Sequence, residues 1–182
     1  ETRSVPRRLK KPSPERLRRR ALAYLQRFST SRAHLRFVLL RRAGPEAEQW
    51  QIGRDALEHR VDALLDDLGE LGLIDDRRYA TGHARTLVER GKPLSRVRAA
   101  LAAKGVDGSL VDEALGEIAP DVAESDLASA LRYARKRRIG PYRITDDTDG
   151  FRQKELAKLA RAGFDYATAK RVVDMEESDL TP

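Results

Sequence analysis

The chain contains no cysteine and few aromatic residues, and both absences narrow the classes of protein to which it can belong. Without cysteine it can form no disulfide framework, no thiolate zinc site and no thiol nucleophile. Aromatic residues make up 5% of the 182 residues and charged residues 36%, while the apolar fraction of 40% consists mainly of leucine, alanine and valine. This composition is typical of a helical protein and not of a β-sandwich or barrel.

Long apolar segments are also missing. The longest unbroken apolar runs, residues 21–25 and 99–103, are far shorter than the roughly 18 residues that a membrane span requires. The basic N-terminal segment is not followed by the apolar stretch of a secretion signal. We therefore expect a soluble, cytoplasmic protein that does not contact a membrane.

The net charge of +7 is concentrated at one end of the chain. Residues 1–45 carry 14 Lys/Arg and 2 acidic residues, a balance of +12, whereas residues 46–91 carry 6 against 11 and residues 92–182 carry 16 of each sign. A concentrated positive field attracts polyanions, so we expect the partner to be nucleic acid or an acidic protein surface. A solvated basic arm that aids solubility is the alternative.

Apolar residues recur at helical spacing along most of the chain, and capping residues divide it into nine predicted helices. Ser13-Pro14-Glu15 predicts the first helix start, because serine caps, proline is tolerated in the first turn, and an acid faces the positive end of the helix dipole. The second helix is expected to follow Ser29-Thr30-Ser31 and to end at Gly44, with Pro45 as the stop. The remaining predicted starts are Asp55 in a capping box with Glu58, Asp75-Asp76, Ser95, Ser109 with Asp112, Glu124-Ser125-Asp126, Gly150 and Asp165.

The predicted helices group into three sets of three. A Leu-x-x-x-Gly pattern closes the middle helix of each set at Gly44, Gly105 and Gly163, and an apolar residue directly follows the last two glycines. Each set is too small to bury much core by itself, so we expect neighbouring sets to stack. The sequence thus predicts an all-α protein of tandem three-helix repeats in an elongated, curved, solenoid-like body. The predicted segments are a flexible basic arm over residues 1–12 and repeats over 13–74, 75–120 and 121–182.

Patterns typical of catalytic or metal sites are missing from the sequence. The three histidines lack the spacing of a metal-binding pair, and the glycines form neither a dinucleotide-binding fingerprint nor a P-loop. Residues 145–156 resemble a calcium loop around Gly150, but Leu156 stands where the bidentate glutamate is required. Asp75 and Asp76 are better explained as helix-capping acids than as a catalytic pair. We expect no enzyme activity, no metal and no cofactor.

Basic residues form the stronger functional signal. One cluster lies at the end of the predicted seventh helix, beside a ring that can stack: Arg135, Lys136, Arg137, Arg138, Tyr142 and Arg143. A second set recurs on the three middle helices: Arg32, Arg36, Arg41 and Arg42, then Arg96, Arg98 and Lys104, then Arg152, Lys154, Lys158 and Arg161. A solvated face usually alternates the two signs, but these predicted helices contain only one acid, Glu155. We expect these basic residues to form one continuous track that contacts a partner protein or DNA. For the first cluster, the alternative is that its cations stabilise the dipole of the helix at whose end they lie.

The sequence resembles the RecX family of recombination regulators. The resemblance rests on Leu71-Gly-Leu-Ile-Asp75-Asp76-Arg-Arg-Tyr79-Ala80, on residues 95–106, and on Gly163-Phe164, and it spans roughly residues 14–176. It implies a modular helical protein that binds RecA and its filaments on single-stranded DNA, occupies the filament groove, and restrains ATPase, strand exchange and filament extension. Residues 45–54 and 145–150 depart from the family pattern.

By this resemblance the partners are the RecA recombinase and its nucleoprotein filament, with single- or double-stranded DNA, and the chain is a monomer that acts in DNA repair, recombination and the SOS response. Binding would act by steric and electrostatic occupancy and would require no catalytic residue. The rival interpretation is a direct DNA-binding or architectural protein built from basic helix-turn-helix-like units.

Overall fold

The computed structural model describes residues 9–119, 121–144 and 150–180. These residues form nine α-helices and two short 3₁₀ helices and contain no β-strand, so the all-α prediction is confirmed. The helices are α1 (Pro14–Leu25), α2 (Arg32–Gln49), α3 (Arg54–Glu70), α4 (Asp76–Glu89), α5 (Leu94–Ala103), α6 (Gly108–Ile118), α7 (Val122–Arg137), α8 (Phe151–Ala162) and α9 (Tyr166–Val173), with 3₁₀ helices at Gly140–Tyr142 and Glu177–Leu180. Within these ranges, no helix has the length and hydropathy of a bilayer span.

The chain divides into two compact units. The first unit extends to Tyr79 and includes Lys104–Val106, and the second unit comprises residues 80–103 and those from 107 onward. In the first unit α1, α2 and α3 pack on one another, and in the second unit α7 and α8 both pack on α9. Of the rejected calcium loop, residues 145–149 lie outside the described residues, and Leu156 lies within α8.

The core of the first unit is formed by the apolar helix faces that the periodicity of the sequence predicted. Leu17 and Ala21 of α1 and Leu35 of α2 are fully buried, and they pack with leucine and valine side chains of α3. The predicted start of α1 is also confirmed, because Arg16 N donates to Ser13 Oγ at 3.3 Å and Pro14 occupies the first turn.

Residues 71–80, one of the segments that carry the family resemblance, contain two adjacent aspartates that bond to the starts of two helices. Arg78 N donates to Asp75 Oδ1 at 2.9 Å, which caps α4, and Arg32 N donates to Asp76 Oδ1 at 2.7 Å in the first turn of α2. Tyr79 is buried. Asp75 therefore caps α4 as predicted, whereas Asp76 accepts its hydrogen bond from the start of α2, a partner that the sequence did not predict.

Helix α2 does not end at Gly44, as the sequence predicted, but continues through Pro45 to Gln49. A proline inside a helix removes a hydrogen bond and costs roughly 3 kcal/mol. Two buried residues directly after it offset this cost, since Glu46 and Ala47 are only 5% and 3% exposed. The burial of these two side chains stabilises the last turn of α2, and the helix therefore continues through the proline.

The repeated glycine pattern consequently ends a helix at two positions and not at three. Gly105 and Gly163 have left-handed backbone, with φ of +69° and +104°, whereas Gly44 lies inside α2. Phe164, directly after the third glycine, is buried and its N–H donates to Leu159 O at 3.2 Å. The expected packing of a helix end onto its own last turn is thus present in the second unit.

Glu46 joins the end of α2 to α1. Arg20 donates to its two carboxylate oxygens at 2.7 and 2.5 Å, and Arg16 Nη2 donates to Oε1 at 3.0 Å. These bonds, chiefly those of Arg20, hold the pKa of Glu46 below its usual value against the opposing effect of burial. The carboxylate is therefore charged and fully engaged.

The end of the predicted flexible arm is attached to the same turn of α2. Leu9 N donates to Gln49 Oε1 at 2.6 Å, Trp50 Nε1 donates to Leu9 O at 2.8 Å, and Pro12 is buried. Residues 9–12 thus contact the last turn of the extended α2 and the tryptophan after it, while the flexibility of the arm stays a prediction. Residues 1–8 of the arm lie outside the described residues.

The predicted start of α3 is also displaced, and the residue at its N-cap, Gly53, makes no side-chain capping hydrogen bond. Helix α3 begins at Arg54, so Asp55 and Glu58 form no capping box, and Glu58 instead accepts hydrogen bonds from Arg36 and Arg54.

Helices α6 and α7 also begin earlier than predicted. Ser109 N donates to Asp107 Oδ1 at 2.8 Å, and Glu124 N donates to Asp121 Oδ1 at 2.9 Å. In both cases an aspartate before the predicted start supplies the cap.

We predict that Pro45→Ala stabilises the protein by roughly 1–2 kcal/mol, because alanine restores the N–H that the interior of α2 lacks and removes the ring clash. Equilibrium denaturation measures the change. Pro14→Ala is the matched control, since a first-turn proline removes no helical hydrogen bond. A neutral Pro45→Ala variant would place residue 45 outside the helix and contradict the extended α2.

We predict that Glu46→Gln destabilises the protein by roughly 3 kcal/mol, since it leaves two arginines without their shared carboxylate. The control is Glu48→Gln, an exposed residue on the same helix, expected to change stability by less than about 0.5 kcal/mol. Equal effects of the two substitutions in urea unfolding would show that the Glu46 cluster does not anchor α2.

Candidate functional site

A concave basic surface lies in the second unit, between side chains of α4, α5, α7 and α8. It encloses about 600 Å³. Five cationic residues line it: Lys92, Arg96, Arg137, Lys158 and Arg161. Tyr133 and small apolar residues complete the lining, and no acidic side chain is among the lining residues that the structure describes. We call this surface the basic cleft.

The start of α5 is held against the end of α8, which brings cations of both helices into the basic cleft. Ser95 Oγ donates to Gly163 O at 2.9 Å, and Arg96 Nη2 donates to Arg161 O at 3.3 Å. A Cβ at Gly163 would lie 2.7 Å from Arg96 Nε, and the residue has positive φ. Only glycine allows Arg96 to cross this helix end without displacement.

Tyr133 provides an aromatic ring in the wall of the basic cleft. The Arg137 guanidinium carbon lies 5.8 Å from its ring centroid, and the ring packs against buried Phe164 at a centroid distance of 6.0 Å. The five cations form no ion pair with a described acidic residue. Because no described carboxylate pairs with them, these cations keep their charge available to an anionic ligand that enters the basic cleft.

The structure places four of the predicted site residues in the basic cleft: Arg96, Arg137, Lys158 and Arg161. Sequence reasoning missed Lys92 and Tyr133. Lys92 lies in the turn between α4 and α5, outside the helices on which the basic pattern was sought. Tyr133 lies one helical turn before Arg137, and that spacing could have identified it.

Other predicted cations form ion pairs with acidic residues of the chain, most of them at the surface. The ion pairs and their N–O distances are Arg32–Asp66 at 2.8 Å, Arg36–Asp62 at 2.6 Å, Arg98–Asp112 at 2.5 Å, Arg143–Glu155 at 2.5 Å and Arg152–Asp174 at 2.9 Å. Arg152 and Lys170 together lower the pKa of Asp174 to about 2. These arginines compensate local carboxylates, which leaves less of their charge for a partner.

The expected scarcity of acids on the middle helices is wrong for α2. Because α2 continues beyond Gly44, it also carries Glu46 and Glu48. The single acid that the sequence analysis noted, Glu155, is buried and accepts hydrogen bonds from Arg143 and from Gly140 N.

The remaining predicted residues have varied surroundings. Tyr142 packs partly buried against the core of the second unit, and Lys154 lies over the ring of Phe151 at 5.8 Å. Five are exposed and form no ion pair with a described residue: Arg41, Arg42, Arg135, Lys136 and Arg138. Those on the last turn of α7 are placed to stabilise its dipole, as the alternative interpretation required. One continuous track through all of these residues stays a prediction.

Lys104 belongs to the first unit and lies beside a histidine. Its Nζ is 3.3 Å from His34 Nε2. Burial, and secondly the Lys104 charge, lower the pKa of the His34 imidazole. No group of three or more histidine or acidic side chains suited to a metal ion occurs in the part of the chain that the structure describes.

We predict that Lys104→Met raises the pKa of His34 while leaving it below about 6.5, because burial persists. The folded state disfavours the protonated ring, so stability should fall as pH decreases from about 6.5 toward the lowered pKa, and the variant should weaken this dependence. Titration of the imidazole resonances by NMR measures the change, with Lys10→Met as the control. An unchanged or lowered His34 pKa would contradict the contact.

Comparison with known proteins identifies similar chains. The family model described as the second three-helix domain of RecX matches residues 75–115. The chain is 35% identical over 170 residues to the regulatory protein RecX of Myxococcus xanthus, covering 93% of this chain and 90% of that protein. It is 33% identical over 124 residues to the protein of the same name from Halorhodospira halophila, covering 67% and 73% of the two chains.

The fold is similar to that of a solved structure. The crystal structure of RecX from Lactobacillus salivarius superposes with a TM-score of 0.65 at 21% identity, covering 92% of this chain and 97% of the other. At that identity the likeness shows a shared fold.

Proposed function

Because the chain belongs to the RecX family of regulatory proteins, we propose that it binds the RecA recombinase and its filaments on single-stranded DNA, and that it restrains their ATPase, strand exchange and extension. The observation that carries the proposal is the basic cleft, in which five cations converge without an acidic lining residue. A nucleoprotein filament is a polyanion, so such a surface is attracted to it.

The basic cleft supports binding by occupancy. Cations that neutralise phosphates release condensed counterions, and each contact with a single strand contributes about 0.7 to the slope of log affinity against log salt. Five contacts would therefore give a slope of up to about 3.5. Occupancy of this kind blocks a surface and needs no bond-making step.

A second candidate function is direct DNA binding without a recombinase. The same cleft favours it, because phosphates of free DNA would satisfy the same cations. The two functions differ in partner dependence, since a RecA regulator inhibits RecA in particular, whereas a DNA-binding protein inhibits any enzyme that uses the same DNA.

We predict that the purified chain slows the DNA-dependent ATPase of RecA at concentrations where it binds bare DNA weakly. The double variant Lys92→Gln, Lys158→Gln should lose most of this inhibition, and its salt slope for filament binding should fall by about 1.4, because two of the cleft's phosphate contacts are removed. Arg135→Gln, Lys136→Gln is the matched control, since it removes equal charge from exposed residues outside the cleft lining.

Equal inhibition of an unrelated DNA-dependent ATPase would favour direct DNA binding over the RecA proposal. Loss of inhibition in the control pair, with full inhibition in the cleft pair, would transfer the contact from the basic cleft to the last turn of α7.

A further inference from the structure

Four rings form a continuous row across the connection between α1 and α2 in the first unit. They follow one another as Phe28, Tyr24, His34 and Phe37, with centroid distances of 5.0, 6.5 and 6.2 Å. Phe28 N donates to Tyr24 O at 2.9 Å in the turn after α1, and the other two residues are one turn apart on α2. We call these four residues the aromatic row.

The two ends of the aromatic row are open to solvent. Phe28 is 49% exposed and Phe37 is 58% exposed, whereas Tyr24 and His34 between them are partly buried. The sequence has only four phenylalanines, and this row exposes two of them. Exposed rings contribute little to folding, but a ligand that covers them would gain their burial.

Cations accompany the aromatic row along its length. The Arg27 guanidinium carbon lies 5.7 Å from the Phe28 centroid, Lys104 Nζ approaches His34, and Arg41 follows Phe37 by one helical turn on the same face. Neither Arg27 nor Arg41 forms an ion pair with a described acidic residue. The surface therefore combines exposed aromatic rings with cations that form no ion pair with a described acidic residue.

We propose that the aromatic row is a base-stacking site for single-stranded DNA, with bases on the rings of Phe28 and Phe37 and phosphates beside Arg27, Lys104 and Arg41. This combination of successive rings and a cationic border is how proteins hold unpaired strands without sequence preference. Duplex DNA presents no free base faces, so the rings select the single strand.

The charge of the surrounding chain favours a nucleic acid over a protein as the occupant. The first unit carries 19 Lys/Arg against 12 Asp/Glu, an excess of +7, whereas the second unit carries 17 of each sign. An apolar protein partner would use the rings but would gain nothing from the cations beside them. Because the site is in the first unit and acts on bare strands, it stands apart from RecA inhibition through the basic cleft.

The test measures binding of a labelled oligothymidine to the full chain by fluorescence anisotropy, without RecA. In Phe28→Leu, Phe37→Leu the apolar volume is largely kept and the π-faces are removed, so affinity should fall roughly fivefold or more per ring with an unchanged salt slope. Arg27→Gln, Arg41→Gln should instead lower the salt slope. Leu71→Ala, Leu73→Ala, which removes exposed apolar surface elsewhere in the first unit, should bind as the unsubstituted chain does.

One further variant and one further ligand complete the test. Phe28→Tyr, Phe37→Tyr restores the rings and should restore binding, which separates stacking from a folding defect. A duplex of the same length should show no dependence on the leucine substitutions. Unchanged oligothymidine binding by the leucine variant, or an equal loss of duplex binding, would overturn the proposal. RecA ATPase inhibition by the leucine variant is measured in a separate assay. Retained strand binding with lost RecA inhibition would assign the rings to a protein partner and would also overturn the proposal.

Discussion

Compensation of charge inside the fold is the constraint on which the functional surfaces depend. The chain has 36 Lys/Arg and 29 Asp/Glu, and many arginines are paired with carboxylates on a neighbouring helix. A paired guanidinium has less field to offer to a ligand, whereas a cation without an internal partner keeps it. The basic cleft is the place in the second unit where five such cations converge. A high content of basic residues therefore does not by itself identify a binding surface.

The two candidate surfaces use different chemistry. The basic cleft is concave and cationic, with one ring in its wall, and suits phosphates. The aromatic row is open and suits the faces of unpaired bases. Each unit thus carries one of the two surfaces, and a nucleoprotein filament on single-stranded DNA offers both kinds of ligand.

The end of α2 shows why local signals are insufficient for a boundary. Gly44-Pro45 is a strong stop within a window of a few residues, yet Glu46 bonds Arg16, 30 positions earlier in the chain. The buried carboxylate and Ala47 stabilise the last turn more than the proline destabilises it. The same extension places acids on a helix that looked almost purely basic, and holds Leu9 against Trp50.

The sequence by itself determined the helical class, the core faces of α1 to α3, the capping of α4 by Asp75, and the family, because periodicity and caps are encoded within a few neighbouring residues. Only the tertiary structure decided which cations are compensated and which converge. Arg152 meets Asp174 across 22 positions, and Lys92 joins Lys158 in one cleft only through packing of several helices. Coulombic pairing acts through space over a few ångströms, so residue spacing along the chain carries little information about it.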